Sequence, residues 1–349
     1  MAGAQRHHRD YGLRGTESLE AITKGLAGAT WRLSPVQREH LLALMKRRNN
    51  PAAFHTALWL VLLVASGAWL WVTWLSWWSV PAAFVYGTLY GSASDARWHE
   101  CGHRTAFASK KANDVIYLIA SFMDIREPVS WRWSHNRHHA DTLIVGRDPE
   151  IAYPRPTPYW RIVADMFGVF STAAEFRKYG HNIMGRLSPD ESTYVPPREA
   201  DAAIRWGRIH CALFAGVLAW SVAMRSFLPL MLFGLPSMYG RWLLVVFGTT
   251  QHAAMAEDVL DHRLNTRTVL MGPVLRFLYL NMNYHLEHHM YPAVPYHALP
   301  KLHELLAHDL PTPYPNMRSA YRDILPALRR QRNDATFHLI PTLPLGGNT

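Results

Sequence analysis

Cysteine is scarce in this sequence. The 349 residues contain only Cys101 and Cys211, and neither belongs to a CxxC pair. A disulfide-stabilised fold is therefore not expected, and the composition fits a reducing compartment. A cleaved secretory signal is not expected either, because residues 1–15 contain no apolar run.

Clustered positive charge is also missing, although the formal net charge is +10. The basic residues are spread along the chain and accompany no nucleic-acid-binding motif, so no nucleic-acid partner is expected. A membrane surface with anionic lipid is the partner that this charge favours.

Residues 49–94 contain no Asp, Glu, Lys or Arg. Since one membrane-spanning helix needs about 20 apolar residues, the stretch predicts two spans joined by a turn near residues 75–81. A helical hairpin of a soluble protein needs a polar face, which this stretch lacks. Basic residues lie outside the hairpin and not in its turn, which predicts that both of its ends face the cytosol. Five tryptophans flank the turn, as in the aromatic belt of a membrane interface: Trp69, Trp71, Trp74, Trp77 and Trp78.

A second apolar region, residues 209–256, predicts another transmembrane hairpin. It is interrupted by Arg225 and Arg241, with Pro229 and Pro236 between them. A charge inside the bilayer points to a function, whereas a charge near the interface extends its side chain toward water. We expect the second behaviour for Arg241, because the prolines place the turn nearby.

The rest of the chain is polar or amphipathic and predicts helices outside the membrane. Ser34 and Pro35 mark the start of a surface helix, and two apolar pieces predict helices in the interface or on a cytosolic domain. We therefore predict an all-α integral membrane protein with two transmembrane hairpins, four spans in total, and a cytosolic helical cap. The expected parts are a cytosolic N-terminal segment, a membrane domain with its cap, and a C-terminal surface tail: residues 1–50, 51–310 and 311–349. The two apolar pieces that predict interfacial or cytosolic helices are residues 115–123 and 162–174.

Histidines cluster just beyond the ends of both hairpins. A pair with i, i+4 spacing precedes two triplets with i, i+3, i+4 spacing, which on a helix places the imidazoles on one face. One ion such as zinc takes about four protein ligands, so this number of histidines suits two ions. Spacing alone leaves zinc, copper, iron and nickel open. With a single histidine after the second hairpin, the candidate ligands are His99, His103, His135, His138, His139, His252, His285, His288 and His289.

The order HxxxH, HxxHH, His, HxxHH, interleaved with two apolar hairpins, resembles the integral-membrane fatty acid desaturase family. The motifs are His-Glu-Cys-Gly-His at 99–103, His-Asn-Arg-His-His at 135–139 and Asn-Tyr-His-Leu-Glu-His-His at 283–289. The resemblance spans about residues 50–310 and implies two iron ions held by the nine histidines, with dioxygen as co-substrate. Residues 251–258 resemble a bacterial branch that also holds hydrocarbon oxygenases.

One position departs from the family pattern. Some members have an asparagine four residues before the single histidine, where this sequence has Gly248. The coordination of the ion near His252 is therefore open, and Asn281 or Asn283 is a candidate to supply the missing amide.

Metal-bound imidazoles usually donate their second N–H to a carboxylate or carbonyl group. Trp131 and Trp133 either line the substrate path or pack in the core. The main candidates for contacts with the histidines are Asp141, Asp148, Asp258 and Asn283, and further candidates are Glu100, Glu257, Asp261 and Glu287.

The resemblance implies oxygen-dependent desaturation of the acyl chain of a fatty acid or lipid. Hydroxylation of a hydrocarbon or small molecule is the alternative, because both outcomes need the same ligands. A metal transporter would place its ligands inside the spans, and these histidines lie outside them. No HPGG haem signature is present, so we expect a separate electron donor such as ferredoxin with its reductase. The expected location is a bacterial inner membrane, with both termini cytoplasmic.

Overall fold

The computed structural model describes residues 9–344, which form helices joined by turns. Within this range there are isolated β-bridges but no β-strand, so the all-α prediction is confirmed. The N-terminal segment contains two short helices, α1 (Thr16–Thr23) and α2 (Arg38–Leu44). Helix α2 begins four residues after Ser34, because the buried hydroxyl of Ser34 donates a hydrogen bond to Asp309 (2.5 Å) instead of capping the helix.

The first apolar stretch forms a helical hairpin. It comprises α3 (Asn49–Val72) and α4 (Ser79–Gly91), after which Ser92 interrupts the helix and α5 (Ala93–Gly102) begins. At 1.5 Å per residue, α3 is about 36 Å long, which is enough to cross a membrane. Three of the five tryptophans of the predicted belt are exposed at or near the turn: Trp71, Trp77 and Trp78.

The second apolar region is only partly a hairpin of long helices. Helix α10 (Pro197–Ala223) has 27 residues, whereas the returning chain is divided into three short helices. Pro236 is the first residue of one of these helices and Pro229 the second residue of another, because proline lacks the N–H that a continuing helix would need. The three short helices are α11 (Leu228–Leu232), α12 (Pro236–Tyr239) and α13 (Trp242–His252).

Two helices of the described residues, α3 and α10, are long and apolar enough to cross a membrane. Helix α4 has only 13 residues, and α11–α13 are interrupted. The predicted four spans are therefore not confirmed by helix length.

Four helices fill the chain between the two apolar regions, and a short 3-10 helix (Glu191–Thr193) follows them. The apolar pieces at 115–123 and 162–174 are helical, as predicted. The second of them is divided between two helices that break at residues 166–168, and apolar side chains are exposed on both helices and in the turn: Trp160, Phe167 and Phe176. The four helices are α6 (Lys110–Met123), α7 (Pro128–Ala140), α8 (Tyr159–Asp165) and α9 (Val169–Ile183).

The C-terminal part closes the fold around α13. Helix α18 begins with a capping box formed by Asn316 and Ser319, and it buries Ile324 and Leu328 in a cluster with Val245 of α13. This helix lies within the segment predicted as a surface tail. A 3-10 helix (Tyr296–Ala298) precedes α17. The helices are α14 (His262–Asn265), α15 (Pro273–Tyr279), α16 (His285–Met290), α17 (Leu299–Leu306) and α18 (Met317–Gln331).

A close backbone crossing fixes α4 against the segment that leads into α13. A Cβ atom on Gly240 would lie 1.8 Å from the carbonyl oxygen of Gly87, a distance that no side chain movement can relieve. Ser92 secures the same crossing, since its hydroxyl donates to Gly240 O (2.5 Å) and accepts from the backbone N–H of Leu244 (2.9 Å). Position 240 must therefore be glycine, and a Cβ atom on Gly87 would lie 2.2 Å from Cε2 of the Tyr239 ring.

We predict that Gly240→Ala destabilises the protein by about 1–3 kcal/mol or more, the usual cost of overpacking a well-packed site. Thermal unfolding of the purified protein in detergent measures the change. Gly216→Ala in α10 is the matched control, because a Cβ atom there meets nothing within 4 Å. Equal melting temperatures for the two variants would contradict the role assigned to the crossing.

Candidate metal centre

Helices α5, α7, α13 and α16 bring the nine predicted histidines into two adjoining groups. The ligand nitrogens of each group lie within 4.8 Å of one another, and the rings are buried or nearly so. The five-histidine group comprises His99, His103, His135, His139 and His288, and the four-histidine group comprises His138, His252, His285 and His289.

The helical spacing explains how each HxxHH motif contributes to both groups. Successive residues of an α-helix are rotated by about 100°, so the i+3 and i+4 residues lie on opposite sides of residue i. In α7, His135 and His139 join one group and His138 joins the other. In α16, His285 and His289 belong to the four-histidine group and His288 belongs to the five-histidine group. Each triplet therefore connects the two groups.

The Nε2 atoms converge at distances that fit a shared ion. The separation is 2.7 Å between His99 and His288, 3.0 Å between His103 and His135, and 3.1 Å between His252 and His285. Two nitrogens that each lie about 2.0–2.1 Å from one ion, at a right angle, are about 2.9 Å apart. The observed separations of 2.7–3.2 Å agree with this value.

Four imidazoles are oriented by an acceptor on the opposite ring nitrogen. His138 Nδ1 lies 2.9 Å from Asp148 Oδ2, and His135 Nδ1 lies 3.0 Å from Glu150 Oε2. These acceptors hold the proton on Nδ1, which leaves the Nε2 lone pair directed at the centre of the group. The other two acceptors are Asn265 O for His252 (2.9 Å) and Thr142 Oγ1 for His289 (3.1 Å).

Of the four main candidates for such contacts, only Asp148 contacts a histidine. Asp141 instead accepts hydrogen bonds from Arg137 and Arg147, and also from the backbone of the N-terminal segment. Asp258 pairs with Arg9 and accepts from the backbone N–H of Val145. The interpretation of Asp141 and Asp258 as partners of the histidines is therefore wrong, because arginines and backbone amides occupy these carboxylates.

The predicted asparagines also bond elsewhere. Asn283 donates to Val269 O (2.9 Å), while Asn281 donates to Tyr296 O (3.0 Å) and accepts from Arg276 Nε (2.8 Å). Neither amide contacts a histidine of the two groups within the described residues. Asn283 Oδ1 is buried and has no hydrogen-bond partner among the described residues, so a role for one of these amides in holding a metal-bound water stays a prediction.

The further acidic candidates have other partners as well. Glu100 accepts from the backbone N–H of Tyr296, and Glu287 accepts from Thr268 and His303. Two more carboxylates pair with arginines: Glu257 with Arg9 and Arg155, and Asp261 with Arg263.

Sequence reasoning missed three partners of the histidines. Glu150 had a usable signal, since it follows Asp148 by two residues in the segment after the HxxHH motif of α7. Thr142 and the carbonyl group of Asn265 had none, because a hydroxyl or a backbone carbonyl near a histidine is common in any sequence. His262, a buried histidine that belongs to neither group, stacks on Trp31 and lies 5.2 Å from His289 between ring centroids.

The electrostatic environment keeps most of the histidines neutral. Burial, together with the neighbouring imidazoles, lowers the pKa of most of them well below the usual value, including His99, His103, His139, His285, His288 and His289. Neutral imidazole is the form that binds metal. For His138 burial also acts to lower the pKa, but Asp148 outweighs burial and raises it to about 9.

Glu150 remains ionised at neutral pH. Burial acts to raise the pKa of its carboxyl group, but His135 and His138 outweigh burial and lower the pKa to about 2. Its charge can therefore stabilise a cation bound through His135.

A cavity of about 470 Å³ opens onto both groups. Gly248 lies on its wall one helical turn before His252, and a Cβ atom there would meet nothing within 4 Å. The four-histidine group is therefore accessible from the cavity on the side of Gly248. The histidines that line the cavity are His99, His135, His138, His252 and His285.

Trp131 and Arg241, whose locations the sequence left undecided, both line the cavity. Trp131 lines the cavity, whereas Trp133 does not contribute to its lining. Arg241 lines it as well, so its side chain does not extend to an outer membrane interface as predicted. The physical reason is that Arg241 is the N-cap residue of α13, the helix that lines the cavity and ends at His252.

The donor set fits two transition-metal ions. Nine imidazoles converge through one nitrogen each, in groups of five and four, and the smaller group has an open side. Imidazole binds zinc, copper, iron and nickel, and an open position is typical of a catalytic site rather than a structural one. The arrangement defines a candidate catalytic centre for two metals.

Comparison with known proteins agrees with this site. The family model for fatty acid desaturases matches residues 75–321, which is more than half of the chain. The chain therefore belongs to the fatty acid desaturase family, and the resemblance inferred from the histidine motifs is confirmed. The family is membrane-associated, in agreement with the two long apolar helices.

Individual relatives match at low identity. The "Delta(5) fatty acid desaturase fat-4" of Caenorhabditis elegans is 24% identical over 252 residues, which cover 63% of this chain and 55% of that protein. The "Probable fatty acid desaturase DES1" of Sorghum bicolor is 25% identical over 249 residues, covering 66% and 62%. The "Oleoyl-12-hydroxylase FAH12" of Ricinus communis is 32% identical over 80 residues, covering 22% and 20%. The chain spans about half the length of the first of these relatives.

We predict that His288→Ala lowers the metal content from two ions per chain to at most one, because His288 belongs to one group and lies on the helix that serves both. Mass spectrometry of iron-reconstituted protein, normalised to protein concentration, gives the stoichiometry. His308→Ala, which changes an exposed histidine outside the groups, is the control. Two ions per chain in the His288→Ala variant would refute the assignment of this ligand.

We predict that Asp148→Asn weakens metal binding by about 10- to 100-fold, the usual effect of removing a partner of a ligating histidine. Competition with a metal-binding dye measures the affinity. Asp141→Asn is the matched control, because Asp141 is equally buried and contacts arginines instead of histidines. A similar loss of affinity in both variants would show that Asp148 acts only through stability.

Proposed function

We propose that this chain is a di-iron oxidoreductase that uses dioxygen to desaturate the acyl chain of a fatty acid or lipid. The observation that carries the proposal is the cavity, which is lined by histidines from both groups. A substrate carbon in this cavity lies beside both metal positions. Membership of the desaturase family and the desaturase names of two of the relatives support the reaction type.

Iron is the proposed metal because the family implies it and imidazole suits it. When bound, the two ions supply dioxygen reduction and removal of hydrogen from an unactivated methylene, chemistry that no side chain provides. The nine Nε2 atoms hold the ions. Asp148 and Glu150 fix the tautomers of His138 and His135 and supply negative charge next to the ligands.

The protein also positions the substrate. Trp98 and Trp131 line the cavity near His99 and His135 and exclude water from one side of it. Positioning of this kind determines which carbon lies within reach of the metals, and small displacements change the rate strongly. The substrate position and the metal ligands therefore have separate roles.

Hydroxylation is the second candidate function. The observation that favours it is the local similarity to an oleoyl-12-hydroxylase. Loss of two hydrogens and gain of one oxygen would use the same histidines, so the outcome would depend on how the cavity holds the reacting carbon of the substrate. Metal transport is disfavoured, because none of the nine histidines lies in α3 or α10, and the one that belongs to α13, His252, is the last residue of that helix.

We further propose four membrane spans: α3, α4 with the start of α5, α10, and the interrupted chain α11–α13. In this arrangement the histidines and both termini are on the cytosolic side of a bacterial inner membrane. We also propose the predicted boundaries, with an N-terminal segment at 1–50, a membrane and metal domain at 51–310 and a C-terminal part at 311–349 whose helix α18 packs on α13. A separate ferredoxin with its reductase supplies electrons, and an acidic donor suits the net charge of +10.

Product analysis tests the proposed function. Purified protein is incubated with iron, oxygen, ferredoxin, its reductase and palmitoyl lipid, and the acyl chains are examined by mass spectrometry. We expect a product lighter by two hydrogens that requires oxygen and is absent for His288→Ala. Gain of one oxygen atom as the main product would contradict desaturation and support the hydroxylase.

A further inference from the structure

The wall of the cavity carries many charged side chains, and most of them are paired with one another. Arg126 pairs with Asp95 (2.6 Å), and Lys178 pairs with Glu175 (2.8 Å). Arg155 pairs with Glu257 at 3.0 Å. In each pair the two opposite charges neutralise each other, so these side chains do not need a charged ligand.

Arg241 is different. Among the residues that the structure describes, no carboxylate lies within 4.0 Å of its guanidinium group, and no hydrogen-bond partner is found for its side chain; its Nε atom is buried. The stem of the side chain lies against Gly168, since a Cβ atom on that glycine would be 3.5 Å from Arg241 Cδ. Arg241 is thus a cation held in the cavity wall without an anion.

Three other carboxylates line the cavity, but none lies within 4.0 Å of the Arg241 guanidinium group. Glu150 contacts Ser134 and His135, and Asp165 accepts two hydrogen bonds from Ser171, one from the backbone N–H (3.0 Å) and one from the hydroxyl group (2.7 Å). Asp124 accepts from Ser94 (2.7 Å) and lies 4.0 Å from Arg126, and burial raises the pKa of its carboxyl group to about 7 against the opposing charges of Arg126 and Arg241. An anion from outside the protein is therefore the partner that Arg241 lacks.

Two further features favour an anion at this position. Arg241 is the N-cap residue of the 11-residue helix α13, so the helix dipole adds positive potential there. Arg161 also lines the cavity and lies over the ring of Phe170, with no carboxylate within 4.0 Å of it in the described part of the chain. Guanidinium groups bind carboxylate and phosphate through paired hydrogen bonds.

We propose that Arg241 binds the anionic group, carboxylate or phosphate, of the molecule whose hydrocarbon chain reaches the histidines. This inference rests on the proposed function, because it assigns the polar end of the same substrate. At 1.5 Å per residue, α13 separates Arg241 from His252 by about 16 Å along the helix axis. Arg241 is accordingly a specificity residue that anchors the substrate at a fixed distance from the reacting carbon.

Binding measurements on the intact purified protein test this assignment. Calorimetry in detergent compares palmitate, palmitoyl lysophosphatidate and methyl palmitate as probes for a carboxylate, a phosphate and a neutral head. We expect Arg241→Gln to weaken binding of palmitate, lysophosphatidate or both by about 10-fold or more, the effect of losing a charged hydrogen-bond partner. Methyl palmitate binding is expected to stay unchanged. The probe that loses more affinity identifies the anionic group.

Arg225→Gln is the matched control, since Arg225 is an exposed arginine of the same apolar region outside the cavity. Arg241→Lys keeps the charge but not the paired hydrogen bonds, so an intermediate loss is expected, and this variant carries the test if Arg241→Gln does not fold. Unchanged binding of both anions, or an equal loss for the anions and methyl palmitate, would overturn the proposal.

The binding test is independent of turnover. A protein that binds an anionic lipid through Arg241 but forms no oxidised product would refute the proposed function and leave this inference intact. A protein that desaturates lipids yet binds neither palmitate nor palmitoyl lysophosphatidate more weakly after Arg241→Gln would refute only the inference.

Discussion

The convergence of nine imidazole nitrogens is the constraint on which the rest of the structure depends. Neutral imidazoles whose Nε2 atoms approach to 2.7–3.2 Å direct lone pairs at one another, which is unfavourable unless a cation lies between them. The helices that carry them must therefore be held from outside the site. The close crossing at Gly87 and Gly240 and the packing of α18 on α13 provide this support.

The histidines were predictable because their chemistry depends on spacing. An i, i+3, i+4 pattern places imidazoles on one helix face, and both triplets in fact lie on helices that meet. The sequence could not show which histidine joins which group. The rotation of about 100° per residue directs His138 and His139 to different sides of the helix, but which other histidines lie on each side depends on how the helices pack. Partners contributed by a hydroxyl or a carbonyl, such as Thr142 and Asn265, depend entirely on tertiary packing.

The difference between features set by local sequence and features set by tertiary packing also explains where the fold predictions were incomplete. Apolar composition located the two membrane regions, but it could not reveal that Pro229 and Pro236 divide the returning chain into short helices. Arg241 was expected at an outer interface because prolines precede it, whereas it begins the helix that leads to His252. Asp141 and Asp148 both follow the histidines of α7, and the structure distinguishes them: Asp141 pairs with the nearby Arg137 and Arg147, whereas Asp148 pairs with His138.

The central claim is that the two histidine groups hold two iron ions side by side next to one cavity. A crystallographic anomalous difference map recorded at the iron absorption edge, from iron-reconstituted protein, tests it most directly. The account predicts two peaks per chain, one within the five-histidine group and one within the four-histidine group. A single peak, or peaks outside the two groups, would contradict it.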